Sequence, residues 1–121
     1  MAFAFENLKV YQRALDFAVT VIEIIDEMDT PSKHYRLIEQ LESSCTSVAL
    51  NISEGKGRFS KKEFKQFLYI ARGSLYETVT MLQIFRKKNW LRQATYNSLY
   101  SEAQEINKML SGLISSIRDS K

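Results

Sequence analysis

Apolar residues recur at alternating steps of four and three in four separate stretches of this chain, and that pattern admits helices and little else. Such steps keep landing on one face of a 3.6-residue helix. The first stretch runs Val10, Ala14, Phe17, Val21, Ile24 and Met28, with Leu8, Tyr11, Leu15, Ala18, Ile22 and Ile25 as a second series beside it. Two adjacent seams are wider than a two-stranded coiled coil needs, so this helix is expected to touch two or more neighbours. Ile38, Leu41, Cys45, Val48 and Ile52 mark a second helix, whose middle, Ser43 to Ser47, is rich in small hydroxyl residues suited to close helix approach. A third carries Phe64, Leu68, Ala71, Leu75, Thr78, Leu82 and Phe85, and beside them Phe67, Ile70, Ser74, Glu77, Met81 and Ile84. Tyr96, Leu99, Ala103, Ile106, Leu110, Leu113 and Ile117 form the fourth. No segment alternates with period two, and one proline and four glycines suit long helices.

The breaks between the seams predict helices over 8–29, 35–54, 60–88 and 95–118. Asn7 is a candidate cap for the first, and Thr30-Pro31-Ser32 ends it and caps the next. The corner from Asn51 to Lys65 carries the fullest set of signals. Gly55 and Gly57 offer the left-handed backbone that ends a helix cheaply. Ser60 and Glu63 have capping-box spacing, and Phe59 and Phe64 stand where a hydrophobic staple forms. Gly73, inside the third helix, is expected to permit close backbone packing. Trp90 is expected to fold over the bundle end, and Thr95 to cap the last helix. At about 1.5 Å per residue these helices have similar lengths, and short connections make neighbours antiparallel. The fold class is all-α, an up-down-up-down four-helix bundle forming a single domain over residues 1–121.

Charge is unevenly placed. Residues 1–55 hold 4 basic and 9 acidic side chains, residues 56–92 hold 10 and 2, and the remainder balance at 3 and 3. Such polarity can steer an anionic partner or pair with the chain's own acidic half. The single cysteine excludes an intramolecular disulfide and fits a reducing cytoplasm. No apolar run is long enough to span a membrane, and no basic stretch precedes an apolar one at the start, so neither a membrane nor a secretion signal is expected.

Several blocks together resemble the 23S rRNA-intervening-sequence proteins, small bacterial four-helix bundles. They are Phe5 to Leu8 with Val10, Tyr11 and Ala14; Tyr35 to Leu41; Ser47 to Gly55; Arg58 to Phe64; and Phe67 to Glu77. The central block from Asn51 to Glu77 is the specific part. The family usually has proline where Ala49 stands and alanine where Ser53 stands. The resemblance implies a left-handed antiparallel bundle assembled as a homopentamer. It extends more distantly to the accessory protein of diversity-generating retroelements, a basic pentameric barrel that works with a reverse transcriptase and nucleic acid. The family name records where some of the genes sit, inside rRNA insertions, and does not make its members ribosomal proteins.

Little in the chain points to catalysis. His34 and Cys45 are each the only residue of their type, and a nucleophilic pair also needs a third, orienting group. Cys45 reads as a small core residue. No Glu-x-x-His pair exists for a di-metal site, and Gly55-Lys56-Gly57 lacks phosphate-loop spacing. No enzyme activity, metal or cofactor is expected. Asn51-Ile52-Ser53 matches a glycosylation sequon, but within a helix this reads as chance. Glu77, among largely apolar neighbours on the second seam, calls for a cation such as Arg72, Arg13 or one from a neighbouring subunit.

The basic corner is the candidate binding site. In the antiparallel bundle Lys9 and Arg13 join Lys56, Arg58, Lys61, Lys62 and Lys65 at one end, and Arg72 extends the face. Cations in a helix's first turn oppose its dipole at a cost of about 0.3–1 kcal/mol each. Nucleic-acid phosphate, an acidic protein surface and a merely solvated patch all remain open as readings. A partner protein, such as a nucleic-acid enzyme, is the alternative to direct nucleic-acid binding. Phe67, Ile70, Glu77, Met81 and Ile84 are the candidate subunit interface. At the other end, Arg86, Lys87, Lys88 and Arg92 are expected to pair with Glu23, Asp26, Glu27 and Asp29.

Overall fold

The structure, a computed structural model, describes residues 2–28 and 34–118. A short 3-10 helix, Ala4–Asn7, precedes α1 (Lys9–Glu27), α2 (Tyr35–Lys56), α3 (Lys61–Lys87) and α4 (Gln93–Ser116), with no strand among the described residues. The seams become the core. Ala14, Phe17 and Val21 of α1 meet Leu41, Cys45, Val48 and Ile52 of α2, Leu68, Ala71, Leu75 and Phe85 of α3, and Leu99, Ile106 and Leu110 of α4. α1 packs on α2 and α4, and α3 packs on the same two, so the helices form a closed ring. Facing pairs run in opposite directions. Along α2 and α3 they are Gly55 with Phe67, Ser47 with Ser74 and Ser44 with Thr78. Arg72 with Ser111 and Arg86 with Gln93 show the same reversal between α3 and α4.

The polar middle of α2 has a specific use. Asn51 Nδ2 donates to the Ser47 carbonyl at 2.8 Å and to Ser47 Oγ at 2.9 Å, and Ser47 Oγ lies 2.8 Å from Ser74 Oγ. One turn pair further along, Thr78 Oγ1 is 2.9 Å from Ser44 Oγ, both residues being buried. Small side chains bring the backbones together, and hydroxyls left in that narrow space satisfy one another. Asn51 is thereby committed inside a helix interface. The position of the family's usual proline, Ala49, is buried within an uninterrupted α2.

Gly55 works differently from the sequence expectation. Among the described residues no glycine has a positive φ, and Gly57 sits at φ −80° and ψ −5°. Gly55 is buried, and a Cβ there would stand 2.5 Å from Phe67 Cβ and 3.1 Å from the Phe64 ring. Its value is steric: it lets α3 cross the end of α2. Gly73, expected to serve close packing, is exposed with nothing within 4 Å of an added Cβ.

The caps divide similarly. Ser60 caps α3, its Oγ accepting from the Glu63 amide at 3.1 Å, but the Glu63 carboxylate accepts from the Ser60 hydroxyl at 3.2 Å and not from its amide. The staple does not form, because Phe59 is fully exposed. Leu8, not Asn7, precedes α1, and α4 begins at Gln93, two residues before Thr95. The expected break and cap at Thr30, Pro31 and Ser32, and Asp29 with them, lie outside the described residues. Trp90 does cover its end of the bundle, edge-on to Phe85 at 5.2 Å and 4.7 Å from the His34 ring. The turn beneath it carries Asn89 at φ 61°, the left-handed backbone that was expected at the other corner. Arg86 ties this turn, donating to Gln93 Oε1, Asn89 Oδ1 and the Leu91 carbonyl.

These two glycines give opposite expectations. Gly55→Ala should destabilise by about 1–3 kcal/mol, since Phe67 is held at its backbone end and cannot swing aside. Gly73→Ala should stabilise by about 1 kcal/mol through helix propensity alone. Urea unfolding of both variants measures the difference, and equal effects would contradict the assignment.

Candidate nucleic-acid interface

The end of the bundle where α2 finishes and α3 starts gathers the predicted cations, and their surroundings sort them. Lys61 and Lys62 lie in the first turn of α3, exposed, with no ion-pair partner among the described residues. Lys9, at the start of α1, and Lys56, at the end of α2, are also exposed. The Lys56 ammonium stands 5.5 Å over the Phe64 ring, an arrangement that keeps the charge in solvent while its stem covers an aromatic. Arg58 is held more firmly. Its Nη2 is 3.0 Å from Glu54 Oε1 and its guanidinium lies 4.7 Å from the Phe67 ring. Lys65 is half-buried and is not a free cation.

Arg13 and Arg72 serve the fold. Arg13 forks onto Glu102 of α4, with Nε 3.0 Å from Oε2 and Nη2 on Oε1, and Glu105 lies 3.8 Å away. The hydrogen bond to Glu102 raises the guanidinium's pKa above its ordinary value, the nearby carboxylate charges adding to the effect against some desolvation. Arg72 reaches α4 through Ser111 Oγ at 3.1 Å and lies 5.1 Å from the Tyr69 ring. Both stitch helices together and offer little to a ligand. Their commitment was not legible in the sequence, because it depends on which face α4 turns toward α1 and α3.

The candidate interface residues are also separated. Ile70, Glu77 and Ile84, spaced by seven, are exposed along one line of α3. Met81 is 5% exposed and belongs to the bundle's own core, while Phe67 is half-buried against Gly55 and under Arg58. Glu77 faces solvent beside Gln40, whose Nε2 is 3.4 Å away, so it needs none of the cations proposed for it. A second uncovered apolar face was missed. Leu15 and Val19 of α1 and Leu50 of α2 are exposed, and Leu15 and Leu50 line a groove of about 250 Å³ with Tyr11, Ala18 and Ala49. The doubled seam of α1 is the sequence signal for it: the seam predicts contact with two or more neighbours, but the residues that stay uncovered depend on how α2 and α4 pack against it.

At the opposite end, no ion pair among the described residues joins Glu23, Asp26 or Glu27 to Arg86, Lys87, Lys88 or Arg92. Arg86 closes the α3–α4 turn instead. Among the described residues no group of three or more His, Cys, Asp or Glu side chains comes together, and no helix is long and apolar enough to cross a membrane. The His34 ring lies tilted against Trp90 at 4.7 Å, and Cys45 is fully buried with its Sγ 3.3 Å from the Glu42 carbonyl. Burial, with Glu42 nearby, pushes the thiol up from 9.0 to about 11.

Comparison with known proteins adds two findings. The family model for the 23S rRNA-intervening sequence protein matches residues 6–112. A solved structure from Bacteroides thetaiotaomicron, described as a protein with unknown function from the S23 ribosomal protein family, is similar at a TM-score of 0.82 and 27% identity. The match covers 88% of this chain and 99% of that one. No curated protein matches.

Cys45 provides a direct check on the packing. Its reaction with a thiol reagent at pH 8 should be at least about a hundredfold slower in the native protein than in denaturant. Below about pH 9 neither state ionises; from 9 toward 11 only the unfolded thiol loses its proton, so stability should fall with rising pH. Rapid native labelling would show the core to be open there.

Proposed function

The chain belongs to the 23S rRNA-intervening sequence protein family, and from that premise we propose that it is a non-enzymatic homo-oligomeric bundle that binds nucleic-acid backbone through its basic end. One observation carries the binding: Lys61 and Lys62 project exposed from the first turn of α3, where the dipole disfavours them and no described carboxylate pairs with them. Lys56 and Lys9 add exposed charge at the same end. A phosphate backbone neutralises such charges and releases counterions. Recognition is then by charge, without base specificity. The non-enzymatic reading is supported by a thiol kept protonated in the core and a histidine occupied by Trp90.

Assembly is supported by exposed apolar side chains in two places, Ile70 and Ile84 on either side of Glu77 on α3, and the Leu15, Val19 and Leu50 patch of α1 and α2. Different faces on one subunit suit head-to-tail contacts that close into a ring, as in the pentamer the family resemblance implies. A ring repeats the basic end and multiplies weak phosphate contacts. The same faces favour a second reading, an accessory subunit docking on a protein such as a nucleic-acid enzyme. Nuclease-insensitive co-purification would favour that reading. We place the protein in the cytoplasm, without a cofactor or membrane partner.

Anisotropy titrations of labelled RNA and DNA against salt test the proposal. Affinity should fall steeply with salt, and Lys61→Glu with Lys62→Glu should weaken binding at least about tenfold and flatten the salt slope. Arg13→Gln should lower thermal stability and leave that slope unchanged. Salt-insensitive binding, or binding unaltered by charge reversal, would sink the reading. Light scattering that shows a stable monomer would remove the oligomer.

A further inference from the structure

Phe59 is a large apolar side chain of the basic corner for which the fold has no evident use. It stands just before the Ser60 cap, where a ring normally packs against the residue four positions into the helix. Here that residue, Phe64, lies against Gly55 and under Lys56, and Phe59 is left 104% exposed. Burying such a ring ordinarily stabilises a fold. Its position in open solvent therefore forgoes a stabilisation that the local sequence was set up to collect.

The surroundings identify what the ring fits. Lys56, Lys61 and Lys62 all lie within three residues of it and all are exposed, while the adjacent Arg58 is held by Glu54 and Phe67. Three residues span at most about 11 Å, so the ring and the ammonium groups address adjacent parts of one ligand. An acidic protein surface satisfies the cations and leaves the ring unused. A duplex offers phosphates but hides its base faces in the stack. A single strand offers both, an unpaired base to lie on the ring and flanking phosphates for the lysines.

We propose that Phe59 is a stacking platform for an unpaired base, which makes the basic end selective for single-stranded over duplex nucleic acid. The inference rests on the nucleic-acid reading above and adds the substrate class. Because every base has a π face, the contact is tolerant of sequence.

The test uses the full chain with oligouridylate, oligothymidylate and a duplex of matching length. Phe59→Ala should weaken binding of the single strands by about 5- to 150-fold, the equivalent of one stacked base. It should leave duplex binding and the salt slope unchanged, and Phe59→Trp should retain single-strand affinity. The ring packs on nothing, so the alanine variant should keep its melting temperature and oligomeric mass. No loss on single strands, an equal loss on duplex, or a changed oligomeric mass would each overturn the inference while the charge-based reading stands. Absence of salt-dependent binding to any of the three probes in the unmodified protein would overturn both.

Discussion

The close crossing of α2 and α3 is the constraint on which the rest of the structure depends. At Gly55 the two helices approach until a single added carbon would collide with Phe67. Further along, Ser44, Ser47, Ser74 and Thr78 keep the gap narrow with small side chains whose hydroxyls serve one another. An apolar seam alone would let two long helices slide, since one leucine replaces another at little cost. Paired hydroxyls resist this, because a shift of one turn parts Ser44 from Thr78 and Ser47 from Ser74 and sets the buried Ser44 or Thr78 against apolar neighbours. This pair of helices therefore sets the register, and α1 and α4 pack against an already defined surface.

The basic end inherits its geometry from that crossing. Lys56 and Arg58 leave α2 as Lys61 and Lys62 enter α3, so cations from both helices meet within one tight corner. What separates them is intramolecular demand. Arg58, Arg13 and Arg72 lie over aromatic rings or beside carboxylate and hydroxyl groups, while Lys61 and Lys62 are left to solvent. Arginine's planar fork suits it to holding elements together, and lysine's single charge on a flexible stem suits a loosely specified anionic partner.

Much of the architecture was legible because it is periodic. Ala14, Phe17, Leu68, Leu75, Ile106 and Leu110 fall in the core where their spacing placed them. The corner shows the limit. Two glycines beside a helix end imply a left-handed turn by local chemistry, yet the third dimension uses Gly55 as clearance and gives the positive φ to Asn89. The candidate site divided along the same line. Exposure of Lys9, Lys61 and Lys62 follows from their position at the ends and first turns of helices. The partners of Arg13, Arg72 and Glu77 were not legible, because each depends on the rotation of a neighbouring helix about its axis. The isolation of Phe59 was equally hidden, since the staple rule describes the usual outcome and the ring of Phe64 had already been claimed.

The fork of Arg13 on Glu102 has one further consequence, for the order of events along the chain. Its partners are 89 residues apart, and the helices they join are the first and last. Closing so long a loop is entropically costly until α2 and α3 are folded between them and hold α1 and α4 side by side. The clamp thus works as a late fastener, sealing a ring whose other seams join helices adjacent in sequence. A nascent chain acquires it only once its final helix has emerged.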